Sequence, residues 1–142
     1  MSRPDKVTGR FRGVVKSDTD ITGVYGTGSD LVNVTTDGGG ELVLAGSGLA
    51  EGVIWTPEGK ADSGVANFNV AAAGTVVTVY THAEFVDTGL TVGDKIWSDT
   101  AGDVANSATA VPTQQIGMVV LNDPAKGGER YVVNIAPATD IT

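Results

Sequence analysis

His82 and Glu84 stand one residue apart, so on a strand they share a face and present an imidazole and a carboxylate to the same ion. A zinc site takes three or four side-chain ligands, chiefly His and Cys. This chain has one His and no Cys, so the pair reads as a strand-end histidine beside an acid. Asp18 and Asp20 offer calcium-type oxygens, but no twelve-residue loop completed by Gly and Glu follows them. WSDTAGD (Trp97–Asp103) has the D-x-x-G form of a metal loop in GTP hydrolysis, a chemistry that also needs an upstream G-x-x-x-x-G-K-[ST] phosphate cradle. Gly59-Lys60 is followed by Ala61 and has no Gly at the required upstream position, so the loop reads as a hairpin turn with an Asp cap. GSGLAEG (Gly46–Gly52) has the wrong spacing for a dinucleotide fingerprint, and strand-like GVIW follows it where that fold needs a helix. There is no G-x-S-x-G, and any hydrolytic triad would have to use His82. Seventeen acids always supply carboxylate pairs of the glycosidase kind, so such a pair points nowhere in particular. The expectation is a protein that binds and is not an enzyme, with no cofactor and no metal.

The elements that would position these residues follow from composition. At 142 residues with 41% apolar and 18% charged side chains, the chain suits one domain with its own core. It is rich in Val and Thr, which fit a pleated surface, and its 20 Gly supply tight turns. No long 3.6-residue stripe runs through it, which argues against a helical bundle. Without Cys, folding is independent of redox compartment. No apolar run reaches the roughly 20 residues that span a bilayer, and MSRPDKVTGRFRGVV lacks the apolar core of a signal peptide. Synthesis in a cytosol is the expectation, with no membrane partner.

Turn residues divide the chain. LVNVTT (Leu31–Thr36) alternates, DGGG (Asp37–Gly40) is a hairpin turn whose Asp-Gly supplies positive φ, and ELVLAG (Glu41–Gly46) is its partner. GVIW ends at Trp55, TPEGKADSG (Thr56–Gly64) reads as a loop, and VANFNV (Val65–Val70) alternates again. TVVTVYTH (Thr75–His82) is the clearest strand, and EFVDTGLTVGD (Glu84–Asp94) reads as a wide loop or one helical turn. DKIWS (Asp94–Ser98), QQIGMVVLN (Gln114–Asn122) and RYVVNI (Arg130–Ile135) are strands, the last two joined by the turn DPAKGG. In RYVVNI, Tyr131, Val133 and Ile135 face the core, with Val132 and Asn134 opposite. The fold class expected is all-β: a small β-barrel or β-sandwich of about nine or ten short strands. Trp55 and Trp97 each end a short apolar strand and read as core, with an interface anchor as the alternative.

The net charge of −8 is unevenly spread. Five of the nine basic residues (Arg3, Lys6, Arg10, Arg12, Lys16) lie in the first sixteen positions beside one acid, Asp5, which leaves the remainder strongly acidic. Residues 1–16 therefore read as an extended basic N-terminal arm and 17–142 as a single all-β domain. An acidic body disfavours nucleic acid as partner. A basic arm suits docking onto an acidic protein surface or a neighbouring subunit. Arg3, Lys6, Arg10, Phe11 and Arg12 are thus the candidate binding residues. With dense charge and no apolar period, the arm is expected to be mobile in the free protein and to order on docking.

The order of blocks after Gly93 resembles the small phage capsid cement, or head decoration, proteins. Those read as G-D-x-hydrophobic-aromatic-x-D-x-x-G-x-V, then I-G-x-hydrophobic, then a final V-x-V-x-hydrophobic strand. The matching residues are Gly93, Asp94, Ile96, Trp97, Asp99, Gly102, Val104, Ile116, Gly117 and Val119, ending in Val132 to Ile135. ELVLAGSGLAEGVIW and VAAAGTVVTVY extend the likeness upstream, so it covers about Leu42 to Ile135. The basic arm and the first Val/Thr hairpin depart from the pattern. The resemblance implies a structural virion protein on the outer surface of an icosahedral head, with the major capsid protein and its own copies, as a homotrimer, for partners. The reading from another class is a β-sandwich carbohydrate-binding or adhesin-like module, which needs exposed aromatics.

Overall fold

A run of β-branched residues around Tyr80 forms the strand on which the sheet is built. The computed structural model describes residues 3–22, 31–45, 49–60, 70–98, 104–105 and 114–135. Its elements are β1 (Arg3–Val14), β2 (Ile21–Thr22), β3 (Leu31–Thr36), β4 (Leu42–Leu44), β5 (Gly52–Trp55), α1 (Thr56–Lys60), β6 (Val70–Ala71), β7 (Val76–Asp87), β8 (Lys95–Ser98), β9 (Val104–Ala105), β10 (Gln114–Asp123) and β11 (Gly128–Asn134). A 3-10 turn at Pro124–Lys126 joins the last two strands. Nine strands form one curled antiparallel sheet, a half-barrel, and β2 and β6 form a small second ladder. The all-β class expected from composition is the class observed.

β7 is the spine. One of its edges carries β1 from Val14↔Val76 to Arg3↔Val86. Its other edge carries β5 at Ile54↔Val79 and Val53↔Tyr80, and then β11 from Asn134↔His82 to Glu129↔Asp87. β3 and β4 continue beyond β5, while β10, β8 and β9 continue beyond β11. The two flanks meet again where the Ala50 N–H donates to Gln114 Oε1 at 2.8 Å.

One extra residue in β7 decides which side chains form which core. Between Gly9↔His82 and Arg10↔Tyr80 the strand gains Thr81, a bulge that resets the alternation. Val77 and Val79 therefore face outward, while Tyr80, Ala83 and Phe85 all face inward. The inner core joins them to Leu31, Val53, Ile96, Ile116, Val119, Tyr131, Val133 and Ile135. Phe85 meets Tyr80 edge-on at 5.7 Å and stacks on Tyr131 at 5.6 Å. On the outer side Val32, Val34, Ile54, Val77 and Val79 are covered by Val15, Ile21, Leu42 and Ala71, so the β2–β6 ladder closes half of the outer face. β3 is consequently buried on both faces from Leu31 to Val34.

The hairpin predicted at residues 31–46 is present, with Thr36↔Leu42 as its last pair. Its left-handed residue is Gly40 (φ +82°) and not the Gly of the Asp-Gly step. Asp37 instead organises the turn: its Oδ1 accepts from the N–H groups of Gly39 (2.9 Å) and Glu41 (3.0 Å). RYVVNI keeps the predicted alternation, with Tyr131, Val133 and Ile135 buried and Asn134 exposed.

Three expectations are corrected. Thr56–Lys60 is a helical turn and not a loop, held by Glu58, whose Oε1 accepts from Thr78 N–H at 3.0 Å. Glu84–Asp87 continues β7, because β11 supplies its ladder. Residues 3–14 are a strand, as argued below. VANFNV up to Asn69 and the DTAGD turn lie outside the described residues.

Gly117 is the most tightly enclosed of the described glycines. A Cβ there would fall 1.8 Å from the Val132 carbonyl oxygen, so no side chain fits without displacing β11. Gly117→Ala is expected to destabilise the fold by about 3 kcal/mol or more. Urea denaturation checks this, since a midpoint equal to the wild type would mean that β11 yields freely.

Candidate functional site

The predicted binding residues all lie on β1, which is an edge strand among the described residues. The register with β7 contains ten pairs, interrupted by single extra residues at Asp5 and Thr8. These two bulges break the period of two, which is why the segment reads in sequence as an irregular arm. Its order comes from long-range contact: Gly13 lies against Leu42, and Val7 packs on the inner core. The segment expected as an extended arm is therefore strand β1 of the sheet.

The structure does not bring the five residues onto one face. Arg3 pairs with Val86. Lys6 is exposed opposite Glu84, and by alternation from inward Val7 it faces outward. Arg10 and Arg12 lie across the sheet from Phe11, which is 38% exposed. Arg12 reaches over buried Thr78, donating to its Oγ1 (2.7 Å) and to Glu58 Oε1 (2.8 Å). It therefore serves the fold as well as the surface, whereas Lys6 and Arg10 make no ion pair among the described residues.

A second charged cluster, invisible in the sequence, fastens the start of β1. Arg130 is largely buried and donates from Nη1 to Asp5 Oδ2 (2.6 Å) and from Nη2 to Asp123 Oδ2 (2.7 Å), with Glu84 Oε1 at 3.4 Å. Lys126 adds a contact to Asp5 Oδ1 at 3.5 Å. The bulge at Asp5 turns its carboxylate towards these cations, of which Arg130 is 125 positions away along the chain. The Arg130 hydrogen bond holds the Asp5 carboxyl below its ordinary range, and Asp123 and Asp5 in turn make the Arg130 guanidinium hold its proton more firmly. Asp37 is likewise lowered, first by the Glu41 N–H.

A group whose folded pKa is depressed stabilises above its unfolded pKa and loses that contribution as pH falls through the folded value. Stability should thus decline as pH drops below about 4. Asp5→Asn and Asp37→Asn should each make that decline shallower. Acid titrations at fixed urea, followed by circular dichroism, test this, and acid limbs identical to wild type would count against the assignment.

His82 and Glu84 do share a face, as predicted, and line a pocket of about 120 Å³ with Lys6, Thr8, Val132 and Asn134. The Thr8 hydroxyl donates to the His82 carbonyl at 3.2 Å, and His82 Nδ1 lies 3.0 Å from Thr81 Oγ1. Among the described residues no group of three or more His, Asp or Glu side chains could hold a metal ion. Asp20 accepts from Ala73 N–H at 2.8 Å, 53 positions along the chain, and Asp18 accepts from the hydroxyl of neighbouring Thr19 at 2.9 Å. Trp55 is half-buried against the inner core, whereas Trp97 is half-buried outside both cores. What this arrangement offers is recognition: cations on an edge strand and a polar pocket beside them. No protein-family model matches the chain, and no curated protein matches it.

Proposed function

We propose that this chain is a capsid decoration protein, binding the outer surface of an icosahedral phage head and stabilising contacts between its capsomers. The observation that carries the reading is the ordered sequence of blocks from Gly93 to Ile135, together with the contacts between their described residues. The Gly93 N–H donates to the Val119 carbonyl (2.9 Å) and the Val119 N–H to the Asp94 carbonyl (2.8 Å), so the G-D and I-G-x-V blocks are stitched together. Gly117 of the second block lies at the tight approach to β11. The basic strand on an acidic body supports a protein partner, the major capsid protein. Copies arranged as a trimer would gain avidity, since several weak contacts made together resist separation.

A sugar platform gains no support, because Tyr80, Phe85 and Tyr131 are buried and Phe11 is the one exposed aromatic among the described residues. The deciding experiment is a density map of particles from the source virus. Added knobs of this mass at three-fold positions are expected, and bare positions in particles that contain the protein would overturn the reading.

Lys6→Gln with Arg10→Gln removes two surface cations that have no ion pair among the described residues and leaves the Arg12–Glu58 contact in place. The double variant should associate with heads more slowly, and its rate should depend less on salt. Stopped-flow association at two ionic strengths measures both, and a wild-type salt response would show the charges to be incidental.

A further inference from the structure

Half of the sheet's outer face is closed by the β2–β6 ladder, but no described element covers the half made by β1, β7, β11, β10 and β8. The register places a row of side chains across that open half: Lys6 opposite Glu84, Glu84 opposite Val132, Val132 opposite Met118, and Met118 opposite Lys95. Inward Ala83, Val133, Val119 and Ile96 fix the direction of this row as outward. Met118 is 42% exposed. Trp97 lies two residues from Lys95 on the same face and is half-buried outside both cores. The pocket holding His82 and Asn134 opens at the Lys6 end. Four strand spacings of about 4.8 Å separate Lys6 from Lys95, roughly 19 Å in all. The row thus has Val132 and Met118 at its centre and a lysine at each end; Glu84, beside Lys6, is met by Arg130 at 3.4 Å, and neither lysine has an ion-pair partner among the described residues.

We infer that this open face is a docking surface for an acidic protein segment. One carboxylate of that segment sits in the pocket near Lys6 and His82, apolar side chains cover Val132, Met118 and Trp97, and a second carboxylate meets Lys95. Charge decides the occupant. A two-fold axis through the centre of the row would lay Lys6 of one copy over Lys95 of the other, so a second copy meets like charge where an acidic partner meets opposite charge. Apolar centres carrying Trp, with charges at the rim, match the anatomy of protein interfaces. The inference does not require the capsid reading, and its failure would leave that reading standing through β1.

The test uses the full chain, isotope-labelled for amide NMR, titrated with two short synthetic peptides. One alternates Glu with Leu and Val, and the other carries Lys in place of each Glu. The acidic peptide should move the amide signals of Lys6, His82, Met118 and Lys95, and the Lys peptide should leave them unmoved. Met118→Glu and Lys95→Glu, both exposed substitutions whose folding the same spectra verify, should each weaken the acidic peptide by about tenfold. Shifts confined to other faces, equal binding of the Lys peptide, or no binding of the acidic peptide would overturn the inference. Signals on this face that move on dilution alone would assign it to a second copy. Binding of anionic vesicles without the peptide would assign it to a membrane, and either result overturns the proposal.

Discussion

Val133→Asp should abolish cooperative folding at neutral pH, while Asn134→Asp should leave the thermal midpoint within a few degrees of wild type. Val133 is fully buried on the inner face of β11, paired with Ala83 of β7 on one side and Gly117 of β10 on the other. Its surroundings are the aromatic and aliphatic side chains of the inner core, and the nearest cation on its own strand, Arg130, is already held by Asp5 and Asp123. A carboxyl placed there has neither water nor a partner, a cost of several kcal/mol against a total stability of about 5–15 kcal/mol. Asn134, one residue on, is exposed on the opposite face. Far-UV circular dichroism and urea melts of both variants read the difference. A normal melt for Val133→Asp with a lost one for Asn134→Asp would mean the strand is inverted.

Removing residues 1–14 should also cost the fold, and not only a docking element. The deletion takes away all ten β1–β7 pairs and leaves one edge of the spine strand without its ladder. It also strips the cover that Gly13 lays over Leu42, and it frees Arg130 from one of its carboxylates. Buried backbone groups that lose a ladder cost about 1–3 kcal/mol each where water does not replace the bond. The truncated chain is therefore expected to aggregate, or to show fast hydrogen exchange along β7. A soluble truncation with slow exchange at Val77–Phe85 and an unchanged melt would restore the picture of a detachable arm.

Much of this architecture was legible in the residue pattern, because local chemistry chose it. Val and Thr runs punctuated by Gly and Asp marked out β3, β4, β5, β7, β8, β10 and β11. Asp37 with three following glycines specified a hairpin, and alternation in RYVVNI specified its buried face. These are properties of a residue and its immediate neighbours, and a sequence carries them openly.

The tertiary structure decided the rest, because each remaining feature rests on a partner far along the chain. β1 carries no strand period of its own; β7 imposes strand structure upon it, and the bulges at Asp5, Thr8 and Thr81 determine where its side chains point. The candidate binding residues, adjacent in sequence, are thereby divided between two faces, with Arg12 committed to Glu58. Asp5, Glu84, Asp123 and Arg130 are scattered in sequence but meet within 3.4 Å, since pairing brings β1, β7, β10 and β11 side by side. The row from Lys6 to Lys95 exists only in the folded sheet for the same reason. Residue type alone determined that the chain would form β-structure, whereas non-local strand register determined which side chains share a surface.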